Sequence, residues 1–103
     1  MIVHDTSLPG VKIIKPCVYR DHRGHFFETW RQDRYTRSGL PVFVQQNFSL
    51  SKRGTIRGLH FQEPHSQGKL VCSVRGRVLD VAVDVRVGSP TFAKWVSTIL
   101  DGS

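Results

Sequence analysis

Cysteine, long apolar runs and clustered charge are all scarce in this chain, and each scarcity excludes something. Two cysteines in 103 residues, Cys17 and Cys72, are too few for a disulfide scaffold and too dispersed for a zinc cluster. Both sit in β-like apolar segments, which predicts buried free thiols. No apolar run is long enough to span a bilayer, and the N-terminus lacks the apolar stretch of a signal peptide. The chain therefore reads as soluble and cytoplasmic, with no membrane partner. Gly-rich phosphate loops, nucleophile elbows, dinucleotide fingerprints and internal repeats are all missing. The net charge is +7, yet the 15 Lys and Arg are scattered and never form a run of five. That distribution argues against a nucleic-acid partner. It fits a solvated basic surface that attracts a small phosphorylated ligand.

What is present is β-rich sequence punctuated by Gly and Pro, in a length that suits one small domain spanning residues 1–103. Residues 11–14 read as a first strand, ended by Pro16. Asp21-His22-Arg23-Gly24 reads as a turn into a second strand over 25–29. Residues 32–38 are the one helix candidate, with Gly39 as its stop. Further strands are expected at 42–45, 55–62 and 94–100, with 69–75 and 77–86 forming a hairpin around Gly76. Along 77–86, Val81, Val83 and Val85 alternate with Asp80, Ala82 and Asp84. The alternation predicts that the second set faces water or a wet cavity. The expected class is all-β, with at most one short helix.

The chemistry-bearing residues gather mid-chain. Histidine exchanges protons near neutral pH, which makes His60 the candidate general base. Lys69 could place a fixed cation beside a ketone oxygen as an enolate forms. Arg57 offers a planar fork to a phosphate. In a regular strand Arg57 and His60 would face opposite ways, so a shared site predicts a bend or bulge at Gly58. Each residue also has a plain reading as an ordinary surface or strand-edge side chain. Metal binding is the rival role for His60. However, His60-Phe61-Gln62-Glu63 has Gln where metal-binding barrels commonly carry a second histidine, and His65 falls in a loop beside Pro64.

Several segments occur in the order of one known family. They are Asp21-His22-Arg23-Gly24-His25-Phe26-Phe27-Glu28, Gln45-Gln46-Asn47-Phe48-Ser49, Arg57-Gly58-Leu59-His60-Phe61-Gln62 and Gln67-Gly68-Lys69-Leu70-Val71. Gly76 to Arg86 and Ser89-Pro90-Thr91-Phe92 continue the pattern, so it covers about residues 10–100. Together they resemble the dTDP-4-dehydrorhamnose 3,5-epimerases.

The resemblance implies a cupin-type β jelly roll, incomplete in this stretch, in a homodimer or higher oligomer that needs no metal or other cofactor. The implied substrate is a dTDP-4-keto-6-deoxyhexose on the route to dTDP-L-rhamnose, with carbons 3 and 5 inverted through enolates. By position, His60 would be the general base and Lys69 the enolate stabiliser. Gln45, Asn47 and Arg57 would contact sugar or diphosphate, while Arg23, Phe26 and Glu28 would reach the nucleotide in a neighbouring subunit. The family also uses an Asp beside the base and a Tyr as general acid, both from the later half of the barrel. Neither has a counterpart in these residues, since Tyr19 and Tyr35 belong to other parts of the pattern. Alternative expectations are a nucleotide-sugar-binding module without turnover and a dimerisation partner for a longer homologue.

Overall fold

The computed structural model describes residues 1–102. Its regular elements are β1 (Ile2–Asp5), β2 (Lys12–Lys15), β3 (Val18–Asp21), β4 (Gly24–Phe27), α1 (Gln32–Arg37), β5 (Arg77–Val83) and β6 (Trp95–Asp101). They pair as three separate antiparallel two-stranded sheets, β1 with β2, β3 with β4 and β5 with β6. Each sheet is small because each strand finds only one neighbour.

Local chemistry explains the connections. The β1–β2 link turns on Thr6, whose Oγ1 accepts the Leu8 N–H at 3.2 Å and donates to the Val11 carbonyl at 2.9 Å. Leu8 is thereby tucked in at 2% exposure. The β3–β4 hairpin pairs Asp21 with Gly24 across His22-Arg23. Asp21 accepts the Arg23 N–H at 2.9 Å and also pairs with its guanidinium. Gly39 ends α1 at φ +75°, a conformation glycine adopts without strain.

The expected helix and the strands at 11–14, 25–29 and 94–100 are present with shifted ends, whereas β1 and β3 were not foreseen. Two pairing expectations fail. Residues 69–75 do not pair with the strand after Gly76; β5 pairs with β6 instead, from Arg77 opposite Asp101 to Val83 opposite Trp95. Residues 42–45, 55–62 and 69–75 form no strand at all. A strand exists only where a neighbour completes its hydrogen bonds, and these stretches meet none.

The alternation expected over 77–86 is overturned in part, although Val83 is half-buried. Asp84 is buried at 5% exposure, and Asp80 and Ala82 are half-buried. Val81 and Val85 are instead 37% and 47% exposed. Asp84 tolerates burial because Arg86, Ser89 and Thr91 all donate to its carboxylate. Cys17 and Cys72 are exposed, contrary to the expected burial, because no second layer covers the segments that carry them.

The core is small: Leu8 and Tyr35 are the buried apolar residues among those described. The accessible surface is 9237 Å², where a folded monomer of this mass shows about 5,900 Å². The radius of gyration is 15.2 Å, against about 13 Å for a compact domain of this length.

Candidate functional site

The β3–β4 hairpin presents the first group of expected site residues. Its turn fixes Arg23 against Asp21 through Nε at 3.1 Å and Nη2 at 2.6 Å. This contact draws the Asp21 carboxyl below its usual range. Phe26, 71% exposed, lies with Arg23, Tyr19 and His25 around a cavity of ≈ 270 Å³. An aromatic face beside a guanidinium suits a flat, charged ligand.

Glu28 follows that hairpin and is held by the helix. Its Oε1 lies 3.1 Å from Arg34 Nη1, and its Oε2 lies 3.7 Å from Arg31 Nη1. Next to it, the Thr29 carbonyl accepts the Tyr35 hydroxyl at 3.1 Å. Burial pushes the Tyr35 hydroxyl up, and the charges of Cys72 and Glu28 add to the effect. Tyr35 thus feels both the hairpin exit and the segment after Lys69.

The remaining expected residues lie between α1 and β5. The Gln45 amide donates to Asn47 Oδ1 at 3.1 Å. Arg57 donates to Ser51 Oγ through Nε at 3.1 Å and Nη2 at 2.9 Å. Gly58 does not take a positive φ, and with no ladder over 55–62 the expected bulge has no strand in which to form. His60 and Lys69 are exposed. Among the described residues, no hydrogen bond or ion pair reaches either side chain or joins the two. One packing contact bears on Lys69: a Cβ on the preceding Gly68 would sit 3.3 Å from Pro41 Cγ.

The structure therefore assembles Arg23 with Phe26, and Gln45 with Asn47, but leaves His60 and Lys69 open to solvent. Arg31 and Arg34 on Glu28, and Ser51 on Arg57, were missed by the sequence reading. Glu28 precedes the helix, which begins at Gln32, and Arg34 lies six positions on, so helical spacing does not mark these pairs. Nothing in the sequence marks Ser51 as the partner of Arg57.

The family model for dTDP-4-dehydrorhamnose 3,5-epimerase matches residues 5–103. The chain belongs to that family. A dTDP-4-dehydrorhamnose 3,5-epimerase of Methanothermobacter thermautotrophicus is 51% identical over 96 residues, which are 92% of this chain and 52% of that protein. One from Neisseria gonorrhoeae is 51% identical over 97% of this chain and 31% of its own length. The chain thus spans about half, or less, of the length of these relatives. Among solved structures, dTDP-6-deoxy-D-glucose-3,5-epimerase of Legionella pneumophila in complex with dTDP-4-keto-L-rhamnose superposes with a TM-score of 0.92. It is 48% identical, with 98% of this chain and 55% of that one covered. The 4-keto-6-deoxy sugar epimerase from the novobiocin biosynthetic gene cluster of Streptomyces spheroides superposes at 0.90 with 43% identity, over 99% of this chain and 53% of its own. The epimerases are cupin-type jelly rolls, so the three small sheets are parts of an incomplete all-β jelly roll with one short helix.

Proposed function

We propose that this chain carries the base-bearing side of a nucleotide-sugar epimerase site. The substrate is a dTDP-4-keto-6-deoxyhexose, and the reaction removes and returns protons at the carbons flanking its ketone. The ketone acidifies those positions, because the charge left behind spreads onto oxygen. His60 takes the proton, and the Lys69 ammonium stabilises the enolate oxygen. Arg57, Gln45 and Asn47 bind sugar or diphosphate, and Arg23, Phe26 and Glu28 receive the nucleotide. The chain works as a homodimer or higher oligomer. The observation that carries this reading is the superposition over 98% of the chain on an epimerase holding dTDP-4-keto-L-rhamnose.

Inversion requires a second acid on the opposite face of the enolate, and none of the residues named supplies it. The chain alone is therefore expected to exchange protons more readily than it inverts. A second reading, nucleotide-sugar binding without turnover, draws on the contrast between fixed Arg23 and Glu28 and open His60 and Lys69.

The test is incubation with dTDP-4-keto-6-deoxyglucose in heavy water, following the sugar's mass and stereochemistry. Deuterium uptake that disappears in His60→Ala supports the proposal. A folded chain that binds the sugar nucleotide without uptake favours the binding module.

A further inference from the structure

The sequence from Glu28 to Tyr35 closes on itself more tightly than a surface loop requires. Both carboxylate oxygens of Glu28 face guanidinium groups, Oε1 at 3.1 Å from Arg34 and Oε2 at 3.7 Å from Arg31. Arg31 is in turn held by Asp33, whose Oδ1 accepts from its Nε at 2.7 Å. Arg37 closes the row from the other side, with Nη2 2.6 Å from Asp33 Oδ2. The helix that carries Arg34 and Arg37, and that Arg31 precedes, is anchored by Tyr35, which is 6% exposed and donates to the carbonyl of Thr29, the residue after Glu28. Helix and carboxylate are thus tied by a part-buried hydrogen bond at one end and by ion pairs at the other.

We infer that Arg34, assisted by Arg31, is a positioning residue that holds the Glu28 carboxylate toward the nucleobase. This rests on the proposed role of Glu28 at the nucleotide. A thymine ring offers one imide N–H between two carbonyls, and a carboxylate in a fixed orientation is the matching acceptor. A freely rotating glutamate must lose side-chain freedom on binding. A glutamate already paired with Arg34 and flanked by Arg31 has lost part of it beforehand. The base is then read by Glu28, while the diphosphate is left to other cations.

The experiment uses the full chain with dTDP and inorganic pyrophosphate as calorimetric probes, in the native protein, Glu28→Ala, Arg34→Ala, Arg34→Lys and the Glu28/Arg34 double alanine variant. The expected result for Arg34→Ala is a loss of about fivefold in dTDP affinity, the upper end for a partly exposed pair, with pyrophosphate affinity unchanged. Arg34→Lys restores part of it. In the Glu28→Ala background, Arg34→Ala costs nothing further, because its effect passes through Glu28. A merely structural arginine would lower both affinities and remain costly without Glu28, which would overturn the inference. A Glu28→Ala loss with Arg34→Ala neutral overturns it while leaving the nucleotide role intact. Unchanged dTDP affinity in Glu28→Ala, or no dTDP binding by the native chain, overturns that role and this inference with it.

Discussion

Arg86 grips Asp84 with both edges of its guanidinium, Nε donating to Oδ1 and Nη2 to Oδ2, each at 2.8 Å. The same Nη2 reaches the Pro9 carbonyl at 3.1 Å, 77 positions away in sequence. Ser89 and Thr91 donate to Oδ2 at 2.6 Å each, and the Arg86 backbone N–H donates to Oδ1 at 3.0 Å. One buried carboxylate therefore joins the end of β5, the loop toward β6 and the β1–β2 connection.

Removing that carboxylate should loosen all three. Asp84→Ala is expected to lower the melting temperature by more than Asp21→Ala, because the Asp21–Arg23 pair stands in water. The pH dependence has a definite sign. Arg86 first, then Ser89 and Thr91, hold the Asp84 carboxyl far below the usual carboxylate range. Below about pH 4 the unfolded chain takes up a proton there and the folded chain does not. The contribution is complete above that pH and declines as acidification proceeds toward the low folded value. Acid titrations of native and Asp84→Asn chains, followed by circular dichroism, should diverge most above pH 4 and converge below it.

Gly102 packs its backbone against another segment. A Cβ there would lie 2.5 Å from the backbone nitrogen of Arg75 and the carbonyl carbon of Val74. Neither atom is a flexible side-chain end that can swing away. Gly102→Ala should push this residue away from the 74–75 backbone and weaken the Gly102 N–H to Gly76 carbonyl bond, 3.0 Å long. A loss of about 1–3 kcal/mol is expected, read from the urea midpoint at unchanged slope.

Ala93 carries the opposite strain. Its φ of +62° places a Cβ in the left-handed region, while its N–H donates to the Asp84 carbonyl at 2.8 Å. Ala93→Gly should keep that bond and relieve the strain, stabilising the chain by about 0.5–1 kcal/mol. An unchanged or lower urea midpoint would refute this.

How far these features could be read from sequence depended on how local their causes are. α1 was legible within one residue because Gly39 stops it and Tyr35 is the apolar anchor. The β3–β4 turn was legible because Asp21 caps its own turn. The partner of β5 was not. Gly76 does take a positive φ of +81°, as a turn glycine should, yet pairing is decided by which strand lies alongside, a non-local matter. Asp84 was read as outward-facing because alternation knows nothing of Arg86, Ser89 and Thr91 folding back over it. Of the candidate site, the motifs marked His60 and Lys69, but no local signal tells whether their neighbours enclose them.

Surface area bears on association. The chain exposes roughly 3,000 Å² more than a folded monomer of its mass, well beyond what a stable dimer interface takes from one partner. Leu79, Trp95 and Ile99, all more than half exposed, share one face of the β5–β6 pair. The purified chain is therefore expected to associate at micromolar concentration, and Trp95→Glu to weaken that association. A monodisperse folded monomer in solution scattering would refute the expectation.

The contact between Gly68 and Pro41 gives the most specific test of the proposed chemistry. A methyl at residue 68 would meet Pro41 Cγ at 3.3 Å and Cβ at 4.0 Å. A few tenths of an ångström must be given up between the ring and residue 68, and any part taken by residue 68 displaces Lys69. If Lys69 stabilises the enolate, Lys69→Ala should cut deuterium uptake about a hundredfold. Gly68→Ala should cut it roughly tenfold through misplacement alone, with dTDP affinity unchanged. Adding Pro41→Ala removes Cγ, the nearer atom, and should restore much of the rate. Rescue without any change in melting temperature would tie the loss to the position of Lys69; a Gly68→Ala chain as fast as the native one would separate Lys69 from the chemistry.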